Sequence, residues 1–154
     1  MNTAKKGHVF GEQMAGVDYQ TRTGAHGVVT RGESDLLEVC LLQTPNGAYY
    51  LPGGEIEPGE SQEEALRREL IEEIGASEII LGSYLGEAAD YYYSKHRDAH
   101  FYNPIHAYVV QVTAWAEPTE KGNKVCWFML GEAISKVKRQ SHKWALEEFQ
   151  KLKG

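Results

Sequence analysis

Cysteine is nearly absent: Cys40 and Cys126 are the only two in 154 residues, and each sits in an apolar, strand-like run. That excludes a small disulfide scaffold, and a reduced cysteine in such a run behaves as a small hydrophobe. Proline is also scarce, at five residues, with none between Gly75 and Pro104, so no proline-rich linker divides the chain. No apolar stretch reaches the roughly 18 residues of a membrane span. The start, Met1-Asn2-Thr3-Ala4-Lys5-Lys6, lacks an apolar core behind its lysines, so no secretory signal is expected and the expected location is cytoplasmic. Basic residues are outnumbered, 16 against 22 acidic, for a formal net charge of −6. A duplex nucleic-acid binder carries a basic face, so no duplex partner is expected. The charge does not speak against small anionic ligands, because a bound metal reverses the local sign. Low-complexity tracts and solenoid repeats are missing as well.

What is present fits one globular domain over residues 1–154, of 42% hydrophobic and 25% charged residues. Short strands are predicted at Gly24–Thr30 and Leu36–Leu42, separated by the polar turn 31–35. Pro45-Asn46-Gly47 is a second turn, followed by a short strand at Ala48–Leu51 running into Pro52-Gly53-Gly54, after which comes a long polar loop ending at Ser61. A helix starts at Ser61, which stands three residues before Glu64 in capping-box spacing, and stops at Gly75. Leu66, Leu70 and Ile74 form its apolar stripe. Further strands are expected at Glu78–Gly86, Ile105–Ala116 and Lys124–Leu130, with Asp90–Pro104 as a loop or hairpin tip. The tail Ser141–Leu152 is an amphipathic helix carrying Trp144, Ala145, Phe149 and Leu152 on one repeat. Strands interleaved with two or three helices predict an α+β fold, an α/β/α sandwich with helices on both sides of a mixed β-sheet.

The helix carries the chemistry. Glu69, Glu72 and Glu73 stand at i, i+3 and i+4, so three carboxylates share one face. Like charges about 5–6 Å apart repel, by roughly 3 kcal/mol at an effective dielectric of 20 and far less on an open helix in water. A divalent cation relieves that repulsion, and ligands that are all oxygen select a hard ion, Mg²⁺ or Mn²⁺. The competing reading is a solvated helix face tied by Glu63–Arg67 and Glu64–Arg68 pairs.

The wider pattern decides between them. Gly54, Glu60, Arg68-Glu69-Leu70, Glu72-Glu73 and Gly75-Ala76 resemble the Nudix box, Gly-x5-Glu-x7-Arg-Glu-U-x-Glu-Glu-x-Gly-U, with U a bulky aliphatic. All seven fixed residues match; only Ala76 is smaller than usual. A chance match is on the order of one in a million for independent residues. The flanks, Leu-Pro-Gly-Gly before the box and the strand bearing Trp127 after it, also resemble the family.

The resemblance implies a Nudix fold and Mg²⁺-dependent (or Mn²⁺-dependent) hydrolysis of a phosphoanhydride bond in a small nucleotide-like substrate, by water attack on phosphorus. It implies metal ligands at Glu69, Glu72, Glu73 and the Gly53 carbonyl, with Arg68 and Glu60 orienting the loop and Glu69. The proton acceptor is Glu69 or an acid outside the box. Glu120, seven residues before Trp127, stands where several relatives carry a further ligand or base; Glu117 is its rival, and a plain turn charge is the bland alternative. Arg22 is a candidate for substrate phosphate. The run Tyr91-Tyr92-Tyr93 is a candidate base platform, with Tyr91 the named position. His96 and His100 lack a third soft ligand and read as polar loop, not zinc. Diadenosine polyphosphates, (oxidised) nucleoside triphosphates and sugar nucleotides all stay open as substrates. So does a non-catalytic nucleotide-sensing domain, although such domains usually lose box acids. An isomerase on the same fold needs a cysteine in a different setting. Homodimers are frequent among relatives, so a second copy is an open partner.

Overall fold

The structure is a computed structural model that describes residues 6–154, with side chains from His8 onward. The expectation about a signal core therefore concerns residues 1–5, which lie outside the described residues. The strands are β1 (Lys6–Phe10), β2 (Tyr19–Thr21), β3 (Gly24–Arg31), β4 (Glu38–Gln43), β5 (Tyr49–Tyr50), β6 (Gly53–Glu55), β7 (Ala76–Ser94), β8 (Ala99–Trp115) and β9 (Lys124–Met129). The helices are α1 (Gln62–Ile74), α2 (Leu130–Lys136) and α3 (Gln140–Lys153). All nine strands join one mixed sheet, in the order β1-β7-β8-β3-β4-β5, with β2 on β8, β6 on β3 and β9 on β4.

At the centre β3 runs parallel to β8 from Gly24↔Ile105 to Thr30↔Gln111. Its other edge is shared: β6 takes the first half, at Gly24 to His26, and β4 the last two residues. This division matters for the site, because β6 and β4 meet β3 at separate places and the Gly53-Gly54 segment of β6 sits beside the gap between them.

Two apolar layers cover the sheet. Strand alternation sends Ala25 and Val29 of β3, and Cys40 and Leu42 of β4, to the α1 side, where they meet Ala65, Leu66, Leu70 and Ile74. Val28, Val39 and Leu41 point the other way, against Trp144, Ala145, Leu146 and Phe149 of α3 and Ala133 of α2. Helices thus lie on both faces, as expected. Among the described residues no helix is long and apolar enough to cross a membrane. Both cysteines are free; Cys40 is fully buried, and burial pushes its thiol up to about 12, a setting for packing and not for nucleophilic chemistry.

The α1 signals act as written. The Ser61 hydroxyl accepts the Glu64 N–H at 3.0 Å, and the Glu64 carboxylate accepts the Ser61 N–H at 2.8 Å. Gly75 closes the helix in the left-handed region, with φ 74°.

Several expectations need correction. Asp90–Pro104 is not a loop: β7 and β8 stay paired out to Ser94↔Ala99, leaving only residues 95–98 as the turn. The run looked loop-like because it is polar, but its rings pair across the strands, Tyr91 with Tyr102 (4.7 Å between centroids), Tyr92 with Phe101 (5.6 Å) and Tyr93 with His100 (4.9 Å). Gly53–Glu55, expected as the end of the preceding strand and the start of the loop, is a separate strand held by β3. Residues 34–36 form a 3₁₀ turn before β4 begins at Glu38. β1, β2 and α2 had no recognised signal. Leu152 lies on the solvent side of α3, 58% exposed.

Candidate active site

The acidic face is assembled from two chain segments. α1 supplies Glu69 and Glu72. Glu120 arrives from the connection between β8 and β9, which is clipped to the end of α1 by two backbone hydrogen bonds. The Ala116 N–H donates to the Gly75 carbonyl at 2.7 Å, and the Glu120 N–H donates to the Glu72 carbonyl at 2.8 Å. Gly75 is required here, because a Cβ would overlap the Ala116 carbonyl. The result is that carboxylate oxygens of Glu69, Glu72 and Glu120 all lie within 4.8 Å of one another. Glu117 is not in this group.

Arg68 braces the face. Its guanidinium grips Glu60 with two hydrogen bonds, at 2.7 and 3.0 Å, and reaches the Glu55 carbonyl at 3.1 Å. Its remaining nitrogen points at Glu69 (3.3 Å) and Glu72 (3.6 Å). Those hydrogen bonds from Arg68, with one from the Glu57 N–H, hold the Glu60 carboxyl down at about 2. Glu60 thus stays ionised as the anchor for Arg68, and the loop before α1 is tied to the helix.

Glu73 faces inward instead. Its Oε1 accepts the Gly53 N–H at 2.8 Å, and burial pushes its carboxyl up to about 9, helped by the charges of Glu69, Glu120 and Glu72. Burial also raises the pKa of Glu69 against the pull of Arg68, with Glu72 and Glu120 adding repulsion. Oxygen donors crowded to this degree can hold a hard divalent cation.

The two glycines before α1 are set by space. Gly53 has φ 143°, and a Cβ there would overlap the Ala25 carbonyl and stand 2.6 Å from the His26 Cα. A Cβ on Gly54 would instead run into the Glu69 carboxylate. The turn therefore lies directly against both β3 and the acidic face.

Beyond the turn, two adjoining cavities of about 260 and 140 Å³ share His26, Tyr92 and Asn103. The first also touches Gly53, Glu73, Tyr50 and Arg139; the second touches Gly54, Glu55 and Arg22. Arg22 thus lines the cleft, where it donates to Glu55 at 2.9 Å. Tyr91 does not line it. Its ring packs on Tyr102 and, at 5.0 Å, on Tyr19, and its hydroxyl reaches Gln13. The tyrosine facing the cleft is Tyr92, with the Arg139 guanidinium 3.5 Å above its ring. Period-two alternation was the available signal, but it needs Asp90–Tyr93 to be read as strand. Arg139 and Tyr50 belong to no motif, and only folding brings them to Tyr92. A larger cavity of about 860 Å³, lined by Trp115, Trp127 and Arg31, lies on the α1 side of the sheet. It contains no carboxylate of the cluster, so chemistry and not volume identifies the site. His96 lies in the 95–98 turn and His100 on β8, and neither joins the acidic group.

A sequence model described as the NUDIX domain matches residues 20–149. Among curated proteins no match is found. Solved structures with the same fold include a NUDIX hydrolase from Nitrosomonas europaea, at 19% identity and TM-score 0.65, covering 87% of this chain and 91% of that one. A C. elegans Ap4A hydrolase is similar at 19% identity and TM-score 0.65, over 88% of this chain and 100% of that one. The E. coli dihydroneopterin triphosphate pyrophosphohydrolase matches at 19% identity and TM-score 0.67, over 85% and 96%.

Proposed function

Because this chain belongs to the NUDIX domain family, we propose that it hydrolyses a phosphoanhydride bond in a nucleotide-like substrate with the help of a divalent cation, Mg²⁺ or Mn²⁺. The observation that carries this reading is the convergence of Glu69, Glu72 and Glu120 from two chain segments on one face. The fit to a hard cation rests on the donors themselves: all are oxygens, and burial with the neighbouring charges of Glu69, Glu120 and Glu72 pushes the inner carboxyl of Glu73 up to about 9. Glu69, Glu72 and Glu120 would hold the ion, with Glu73 and the Gly53 carbonyl beside them. Such an ion, when bound, neutralises bridging phosphates and lowers the pKa of a bound water.

The chain's own residues do the rest. Arg68, fixed by Glu60, holds Glu69 in place. Glu69, held by Arg68 at the edge of the cluster, is the proposed acceptor for the proton of the attacking water, with an acid outside the box as the alternative. Arg22 and Arg139 supply positive charge at the cleft for the phosphates, and Tyr92 supplies a ring face for a base. A cleft with these groups favours a nucleoside polyphosphate. The Ap4A hydrolase and the triphosphate pyrophosphohydrolase of the same fold make dinucleoside polyphosphates and nucleoside triphosphates, oxidised ones included, the first compounds to try. A nucleotide-sensing role without turnover has the complete carboxylate set against it.

The test is a substrate panel of dinucleoside polyphosphates, nucleoside triphosphates and sugar nucleotides with Mg²⁺, products identified by mass. Cation-dependent release of phosphate or pyrophosphate, or of two nucleotides, is the expected outcome. Full turnover in excess chelator would overturn the cation's role, and binding without turnover would shift the reading to sensing.

A further inference from the structure

His26 occupies a position on β3 where alternation places small apolar neighbours. It shares the α3-facing side with Val28, and its ring is only 9% exposed. The adjacent imidazole, His142, lies 4.7 Å away between centroids and has a fixed role: its Nδ1 accepts the Leu51 N–H at 3.0 Å. Among the described residues the Nδ1 of His26 has no hydrogen-bond partner, although it is buried. Leaving a buried polar atom unpaired costs about 1–3 kcal/mol, and such atoms in native proteins call for a ligand, a water or a functional reason.

Its surroundings point to a ligand. The ring lines both cleft cavities, between Gly53 and Gly54 on one side and Tyr92 on the other. Gly24 packs against the ring so closely that a Cβ there would stand 3.0 Å from the His26 Cε1 and 3.1 Å from the Gly54 carbonyl. A neutral imidazole has one donor and one acceptor nitrogen. Phosphates are matched by Arg22 and Arg139, which also line the cleft. A donor–acceptor pair beside an aromatic ring matches a base edge or a sugar hydroxyl.

We propose that His26 is a specificity residue whose imidazole hydrogen-bonds the nucleoside part of a nucleotide seated against Tyr92. This rests on the nucleotide-hydrolase reading of the site. The consequence is discrimination by functional group: a nucleotide lacking the matched hydroxyl or amine leaves His26 unpaired and binds less well.

The experiment uses protein labelled with ¹⁵N at histidine, its ring signals assigned with His26→Gln. It is titrated with AMP, GMP, CMP and UMP, and with inorganic phosphate. One or more nucleotides should move the His26 ring resonances while phosphate alone does not. On the substrate found in the panel, His26→Gln should raise KM about tenfold, the scale of one lost hydrogen bond, with the larger part of the effect on KM and not on kcat. His26 signals that ignore every nucleotide, in protein that hydrolyses a member of the panel, overturn the inference and leave the hydrolase reading intact. Shifted signals without any hydrolysis support the contact and overturn the hydrolase reading. Neither shift nor hydrolysis overturns both. If His26→Gln fails to fold, the His26 ring signals are assigned in the wild-type protein through their couplings to the His26 backbone, and the titration still decides.

Discussion

Two adjacent glycines give opposite expectations for the same substitution. At Gly54 the backbone is not left-handed, so alanine is allowed there, and the added Cβ meets only the end of a side chain, 2.5 Å from the Glu69 Cδ. Glu69 can swing away at a rotamer cost of about 0.5–1.5 kcal/mol. It also loses a part-exposed contact with Arg68, worth at most about 1 kcal/mol. Replacing glycine returns roughly 0.4–1 kcal/mol by restricting the unfolded chain. The net loss is about 1 kcal/mol, a shift in Tm of about 2–4 °C at this size. Yet the swing moves a catalytic carboxylate, and misplacement of about 1 Å costs on the order of a hundredfold in rate. Gly54→Ala should therefore melt close to wild type in chelator and lose about a hundredfold in kcat/KM with Mg²⁺. At Gly53, by contrast, φ is 143° and the Cβ meets β3 backbone. Strain there costs about 1–3 kcal/mol before the overlap is counted, so Gly53→Ala should lower Tm by roughly 10 °C. Thermal melts and steady-state kinetics on both variants decide the matter. Wild-type kcat/KM in Gly54→Ala would show that the position of Glu69 is immaterial. A Gly54→Ala melt as low as that of Gly53→Ala would show that Glu69 cannot yield.

Glu120→Gln should keep its backbone bond to Glu72 and its fold but lose at least about tenfold in kcat, roughly 1.4 kcal/mol; unchanged kinetics would return Glu120 to a turn charge. Tyr92→Ala should raise KM while Tyr92→Phe preserves it and Tyr91→Ala leaves it alone, because of these two only Tyr92 lines the cleft; a KM effect at Tyr91 and none at Tyr92 would reverse the assignment. Glu73 should make the cation-free protein pH-sensitive. Its folded pKa of about 9 lies above the ordinary 4.5, so its contribution to stability is fully present below pH 4.5 and declines as pH rises to 9. In chelator, Glu73→Gln should exceed wild type in stability by an amount that grows with pH, to about 3 kcal/mol at pH 7. Urea melts of the two proteins that stay parallel from pH 5 to 8 would remove this account.

How much of this was legible in the sequence follows from how local each feature is. The α1 cap, stripe and stop are written within fifteen residues, and so is the shared face of Glu69 and Glu72. Glu120 was legible only as one of two acids in a polar connection, because its place depends on a backbone bond to Glu72 across 48 positions of chain. That Tyr92 and not Tyr91 lines the cleft was hidden by a single error of state: once Asp90–Tyr93 is strand, alternation turns Asp90 and Tyr92 toward α3 and Tyr91 away. Asp90 then accepts the Ser141 N–H at the start of α3, which sets Arg139 over Tyr92. His26 was invisible for a different reason. In sequence it is one histidine in an apolar run, and only burial with an unpaired nitrogen separates it from a satisfied core residue.

The charges around Arg68 account for the choice of three particular carboxylates as the proposed cation site. Glu60, Glu69, Glu72, Glu73 and Glu120 lie on or beside α1, and the Arg68 guanidinium reaches three of them, Glu60, Glu69 and Glu72. Arg68 spends two of its hydrogen bonds on Glu60, which therefore stays ionised with its charge answered. Glu73 answers its own charge by holding a proton in a buried setting. Glu69, Glu72 and Glu120 are left with one weakly directed nitrogen, at 3.3 Å from Glu69 and 3.6 Å from Glu72. Their oxygens converge all the same, since the helix repeat fixes two of them and the clipped connection fixes the third. A hard divalent ion held there as proposed would offset this remaining negative charge, and its field would favour release of the neighbouring Glu73 proton.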